Sequence, residues 1–369
     1  MRFTFLVHPL GEWQLRFIGA RQLSGRILTA RFGELEWASF EHQYIHPITR
    51  FPRLVSADGP VCSGQVVGIP TMPEVMLAEQ SQTVDMLEEA VERFGQDSDL
   101  IGLGALCAII GSRGQELARR LDRPVTTGNS LTCWTAAQTT EYLLTLLSRS
   151  RRFNPRILLV GLPGTMAWGL LEVLLGRGLP VEVFHSRFPK AVERRLGKLE
   201  TKHGTTITRH NDLDEALRAK GLVVGAGSIG GELAEADLRP GTVVVDVARP
   251  LDTTAAQRMR PDLLVLEGEM ISLPRATGDG WRTFWSTIYN MVVGQVDSRV
   301  FACLAEPMVL CMEGMAESFS LGRNLDPTRV EEIGQIAQSH GFGVHELFRG
   351  REPLDDELML EFANVPWLP

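Results

Sequence analysis

The sequence contains no Cys-x-x-Cys pair, no zinc-type ligand spacing, and no apolar run near the ~20 residues needed to cross a bilayer. Each absence removes a class of protein. Five cysteines, Cys62, Cys107, Cys133, Cys303 and Cys311, are an odd number without a pairing pattern, which fits reduced thiols in a cytoplasmic protein better than a disulfide framework. Basic charge is also short: 37 Lys and Arg face 45 Asp and Glu, for a formal net charge of -8. A general nucleic-acid binder is not expected, because neutralising phosphates needs a surplus of cations. Pro9 and Glu12 arrive too early for a secretory signal, so the expected location is the cytoplasm, with peripheral membrane contact left open. His42 and His46 have the spacing of a metal pair, yet no third ligand accompanies them and no metal site is expected. No repeat or low-complexity tract occurs.

What remains is an ordinary globular chain in several parts. Its 369 residues exceed what one hydrophobic core usually supports, and 44% apolar with 22% charged residues is the balance of a folded protein. In residues 1–145 the runs FTFLVH, VVGIP and DLIGLGALCAII read as strands and TVDMLEEAVERF as an amphipathic helix, together an α/β layer. From Asn129, NSLTCWTAAQTTEYLLTLLSRS reads as one long helix capped by Asn129 or Ser130. The basic segment after it, with Arg149, Arg151, Arg152 and Arg156, is either a solvated linker or a surface for an acidic carrier. Residues 146–280 alternate apolar strand runs with helical patterns (RILLV, VEVFHSR, GLVVGAG, GTVVVDVARP, DLLVLEGEM), which predicts a Rossmann-like, doubly wound parallel sheet. Residues 281–369 read as a helical region.

Within the second part, Gly161 and Gly164 follow a strand and Thr165 opens a helix, with Ala167 where a third glycine is usual. Glycines at such a turn let the backbone approach a pyrophosphate, whose charge then sits on the helix N-terminus. The next strand ends in His185, Ser186 and Arg187 rather than in an acid. Ser186 and Arg187 can hold a 2'-phosphate through charge-assisted hydrogen bonds, so NADPH is expected over NADH. Gly225, Ala226 and Asp246, at later strand ends, complete the expected cofactor-binding set. A tight strand-to-helix turn with no ligand would use the same glycines.

Three stretches in matching order resemble the long-chain acyl-[acyl carrier protein] reductases of cyanobacteria, which make fatty aldehydes. PVTTGNSLTCW, at 124–134, is similar to that family's TTGN-x-x-T stretch, SRVFACLAEPMVL to the FACFAEA segment around its nucleophilic cysteine, and SFSLGRN with IGQIAQSHGF to its C-terminal signature. The resemblance implies an N-terminal substrate domain, an NADP-binding domain and a helical C-terminal region carrying the nucleophile at Cys303. Such a cysteine takes the acyl group from a thioester of an acyl carrier protein or coenzyme A, and hydride transfer then releases an aldehyde. In place of a GATGxxG-like loop this chain has Gly161-Leu162-Pro163-Gly164, and VVVDVARPLD is more similar to glutamyl-tRNA reductases, which also reduce a thioester held on cysteine.

That chemistry needs a thiolate, donors for an oxyanion and a hydride source. Arg299, four residues before Cys303, shares its face if the helix starts early, and Glu306, three residues after it, opposes ionisation. Thr126, Thr127, Asn129 and Ser130, at a helix N-terminus, are the candidate contacts to the thioester, or simply a cap and a turn. His340 could donate a proton or only end a helix. The other cysteines read as small core residues. Two further functions stay open: an amino-acid or shikimate-type NADP dehydrogenase with no covalent step, and a non-catalytic nucleotide-binding protein.

Overall fold

A computed structural model describes residues 1–8, 45–69, 71–218, 221–228, 230–274, 299–344, 346–349 and 352–364. The strands are β1 (Arg2–Val7), β2 (His46–Val55), β3 (Val61–Gly68), β4 (Leu100–Leu103), β5 (Val125–Thr126), β6 (Ile157–Val160), β7 (Val181–Phe184), β8 (Thr208–His210), β9 (Leu222–Gly225), β10 (Val243–Asp246), β11 (Leu264–Glu267), β12 (Met270–Ser272), β13 (Arg299–Phe301), β14 (Leu347–Arg349) and β15 (Glu352–Leu354). The longer helices are α1 (Gln80–Phe94), α2 (Asn129–Leu147), α3 (Thr165–Gly176), α4 (Lys190–His203), α5 (Ala302–Glu313) and α6 (Pro327–Ser339). Among the described residues no helix is long and apolar enough to cross a membrane. Of the helical region expected over 281–369, residues 281–298 lie outside the described residues, as do Pro9, Glu12 and His42.

Two compact units result, one of residues 1–131, 272–323 and 335–343, the other of 132–271, 324–334 and 344–369. The residues after 298 are thus shared between both units, and they add short strands to the expected helices.

The first unit is built on a five-stranded sheet in the order β2-β3-β1-β4-β5. β1 runs parallel to β3 and β4, β4 parallel to β5, and β2 antiparallel to β3. Every residue of β4 is buried, as a parallel strand covered on both faces requires. Val84, Leu87 and Val91 of α1 recur at helical spacing and join the core that covers this sheet.

α5 lies against β1, β3 and β4. Its sequence holds a proline at position 307, whose missing N–H denies a helical partner to the carbonyl four residues earlier, that of Cys303. The Pro307 ring fits over β4, where a side chain on Gly102 would come within 3.0 Å of its Cγ.

The second unit carries a six-stranded sheet in the order β11-β10-β9-β6-β7-β8. All its neighbouring strands are parallel. Counted along the unit this is the order 3-2-1-4-5-6 of a dinucleotide-binding Rossmann sheet, and the order reverses between β6 and β9. The continuous apolar runs β6, β9 and β10 are buried along their whole length, which is why they sit at the centre. The fold class is therefore α/β, with a Rossmann-type second unit.

Candidate functional site

Cys303 is the second residue of α5, half-buried, in the first turn of a helix whose N-cap, Phe301, offers no side-chain cap. Cys62, Cys107, Cys133 and Cys311 are all buried. Burial pushes the thiols of Cys62, Cys107 and Cys311 up to about 12 and raises that of Cys133 as well. A buried thiol held protonated neither attacks nor ligates, so these side chains are packing. Arg299 is not on the same helical face as Cys303, because it lies in β13 and the helix begins only at Ala302.

Against Cys303 stands the loop that leads into α2. Gly128 has φ +72, and a Cβ placed on it would lie 2.3 Å from the Cα of Cys303 and 2.5 Å from its Cβ and O. Only a glycine backbone can come this close. Since α2 begins at Asn129 and α5 at Ala302, the N-terminal ends of two helices meet at this residue, and the dipoles of both helices favour negative charge there.

The side chains of the same loop point elsewhere. Thr126, Thr127 and Ser130 are buried, and their hydroxyls are engaged within the protein. Thr126 donates to Oε1 of Glu306, Thr127 donates to the carbonyl of Ser320, and Ser130 Oγ lies 2.7 Å from Ser320 Oγ. Glu306 itself is 0% exposed and accepts the Leu131 N–H at 2.7 Å, while Ser320 Oγ sits 2.7 Å from its Oε1. Burial pushes the Glu306 carboxyl up, and the hydrogen bonds from Thr126, Leu131, Ser320 and Gly128 oppose that rise. Of the expected substrate contacts, Asn129 alone is half-buried rather than buried. His340 is also held inside, with Nδ1 2.8 Å from Ser56 Oγ and Nε2 2.9 Å from Glu313.

In the second unit, Gly161 directly follows β6 at φ +128, and a Cβ there would stand 2.5 Å from the Ala226 carbonyl group. The β6 loop is thus pressed against the loop after β9, at the point where the strand order reverses. Gly164 closes the turn with its N–H on the Gly161 carbonyl at 2.8 Å and caps α3 without any side-chain hydrogen bond. Thr165 opens the helix, half-buried. Ser186 and Arg187 are exposed just beyond β7, and the Arg187 N–H donates to His185 Nδ1 at 3.1 Å. Gly225 and Ala226 are buried at the end of β9.

Asp246 does not face this crevice. Fully buried, it accepts from the N–H groups of Ala248, Asp252 and Thr253 and from the Thr253 hydroxyl. Its carboxylate ties down its own loop, and that loop carries Asp252, which in turn accepts the Gly227 N–H at 2.8 Å and the Glu232 N–H at 3.2 Å. Asp252 is the residue that sequence reading missed, although it stands six positions after Asp246. Of the basic segment, Arg156 is mostly covered and pairs with Glu182 at 2.7 Å, whereas Arg149, Arg151 and Arg152 are exposed, Arg149 lying 3.8 Å from Asp356 and Arg152 donating to the Asn364 carbonyl at 2.9 Å.

No family model matches the chain. It is 29% identical over 366 residues to the aminotransferase PigE of a Serratia species, a match covering 99% of this chain and 42% of that protein. The chain thus spans about two-fifths of the length of that relative. It is 23% identical over 321 residues to the long-chain acyl-[acyl-carrier-protein] reductase of Synechococcus elongatus, covering 83% of this chain and 88% of that protein. The relation to this reductase is distant. Among solved structures, a dipicolinate synthase polypeptide of Bacillus halodurans overlaps with a TM-score of 0.31 at 14% identity, over 86% of this chain and 98% of the other. L-tryptophan dehydrogenase of Nostoc punctiforme overlaps with a TM-score of 0.30 at 14% identity, over 92% and 88%. The Rossmann-type assignment stands on the strand order, not on these overlaps.

Proposed function

We propose that the chain is an NADPH-dependent reductase that takes the acyl group of a thioester onto Cys303 and releases an aldehyde. The observation that carries this reading is the setting of Cys303: the half-buried cysteine of the chain, at the junction of two helix N-termini, with four buried thiols elsewhere. The distant similarity to an acyl-carrier-protein reductase over 83% of the chain supports it.

The residues of the second unit fit a dinucleotide. The N-terminus of α3 has no side-chain cap and lies at the reversal of strand order, where a pyrophosphate would meet backbone N–H groups. Gly161, Gly164 and Thr165 would hold that pyrophosphate, Ser186 and Arg187 the 2'-phosphate, and Gly225 with Ala226 the floor beneath the ribose. Bound there, NADPH supplies a hydride to an acyl carbon.

Cys303 attacks the thioester carbonyl, and backbone N–H donors at the start of α5, with the positive dipole end of α2 beside them, stabilise the oxyanion that forms. Collapse of this adduct expels the thiol of the carrier and leaves the acyl group on Cys303. Exchange of one thioester for another is close to balanced, so the acyl group is held without a large loss of free energy. After reduction, the sulfur leaves as a thiolate and the aldehyde departs. Acyl carrier protein and coenzyme A present the same thiol arm, and either suits this chemistry as donor.

A panel of acyl thioesters with NADPH, assayed for aldehyde, tests the proposal. Aldehyde is expected from the native chain and none from Cys303→Ser. Unchanged turnover in Cys303→Ser, or no aldehyde from any donor, would count against it.

A further inference from the structure

Glu306 is an acid where the helix calls for an apolar residue. Its neighbours Leu304, Ala305, Met308 and Val309 are all buried, and so is Glu306, with 0% exposure. A carboxyl group in such a place is costly unless its oxygens are satisfied, and an apolar side chain of similar volume would stabilise the helix at least as well. Its partners show what the acid does instead. Oε1 accepts from the hydroxyls of Thr126 and Ser320, and Oε2 accepts from the N–H of Leu131. These donors come from two loops far apart in sequence, and the Thr126 hydroxyl also accepts the Gly128 N–H at 3.3 Å. Gly128 is the residue pressed against Cys303. Ser320 takes φ +55 to reach this place, a strained backbone for a residue with a side chain.

We infer that Glu306 is a positioning residue for Cys303, clamping the 126–131 loop and the turn at Ser320 against the first turn of α5 so that the thiol meets an acyl carbon in one orientation. The inference rests on the thioester reading of Cys303 above. A clamp of this kind acts through the shape of its hydrogen bonds, which makes glutamine a discriminating replacement. In Glu306→Gln the amide oxygen can face the Leu131 N–H, and the amide nitrogen can donate to the Thr126 and Ser320 hydroxyls, which are able to turn round. Glu306→Ala removes every one of these bonds.

The test compares two reactions of Cys303 in the whole chain without NADPH: acylation by octanoyl-coenzyme A, followed by quenched mass spectrometry, and alkylation by iodoacetamide. A small alkylating agent can approach from many directions, whereas acyl transfer needs a defined one. In Glu306→Ala, acylation should fall by about ten- to a hundredfold, with alkylation kept and with Glu306→Gln restoring acylation close to the native rate. Native acylation in Glu306→Ala overturns the inference, as does parallel loss of both reactions, which would make Glu306 a support of the fold alone. Glu306→Gln as slow as Glu306→Ala also overturns it. Should Glu306→Ala not fold, Ser320→Ala serves: slowed acylation with alkylation kept is expected, and native acylation refutes. If the native chain is acylated neither by octanoyl-coenzyme A nor by any other acyl thioester of coenzyme A or acyl carrier protein, the thioester reading fails and this inference with it, an outcome distinct from all the others.

Discussion

Gly128→Ala places a methyl group where the backbone of Cys303 already is. Two costs arise. The first is conformational, because φ +72 is a left-handed geometry that an L side chain occupies at about 1–2 kcal/mol. The second is steric, since the new Cβ would lie 2.3 Å from the Cα of Cys303, against an ordinary carbon contact of about 3.5–4.0 Å. Relieving it requires the start of α5 or the loop to retreat by about 1 Å, and overpacking of this kind costs about 1–3 kcal/mol more. Gly178 is a control within the same chain: it also has φ +72, but a Cβ there meets nothing within 4 Å. Gly178→Ala should therefore lose only the conformational part, while Gly128→Ala loses both, about 2–5 kcal/mol in all. A displacement of about 1 Å at a nucleophile is worth about a hundredfold in rate, so Gly128→Ala should lose turnover to that extent and Gly178→Ala should not. Urea denaturation and aldehyde release measure the two effects. Gly128→Ala as stable as Gly178→Ala, or with native turnover, would refute the reasoning.

Other expectations follow from the same geometry. Arg187→Ala should weaken NADPH binding by about ten- to a hundredfold, the worth of a hydrogen bond to a charged group, and leave NADH binding nearly unchanged; equal weakening of both in titration would remove the 2'-phosphate assignment. The Asp252 carboxyl is pushed up from 3.8 to about 6, mainly by burial, against the Gly227 N–H and with the Asp246 carboxylate adding to the rise. The folded chain then binds this proton more tightly than the unfolded chain, so the group adds stability below about pH 4 that is lost as pH rises through about 6. Asp252→Asn should lack this loss and gain on the native chain by on the order of 3 kcal/mol between those limits; parallel stability profiles would contradict it. Iodoacetamide at neutral pH should label Cys303 in the native chain and spare Cys62, Cys107, Cys133 and Cys311, as peptide mapping can show.

The second unit is legible because its central strands β6, β9 and β10 are short runs that are apolar but for Asp246 at the end of β10, and parallel strands buried on both faces have that composition. Gly161, Gly164 and Arg187 could be placed from the order of strand, turn and helix alone. The direction of polar side chains could not. Asp246 ends a strand at the expected edge, yet its carboxylate bonds the N–H groups of the following loop, a local preference that no spacing displays. Thr126, Thr127 and Ser130 form the expected helix entry, but their hydroxyls turn to Glu306 and Ser320, partners 180 or more residues away. Glu306 reads in sequence as a charge beside the thiol; only the approach of two distant loops shows it as a shared acceptor. Helical spacing brings Arg299 beside Cys303 only if the helix starts early, and the short strand β13 breaks that period before the helix begins.

The most direct measurement is the intact mass of the chain after incubation with acyl thioesters in the absence of NADPH. The account predicts a gain of one acyl group, located by peptide mapping on the segment that holds Cys303. An unchanged mass with every donor, or an acyl group found on a different cysteine, would contradict it.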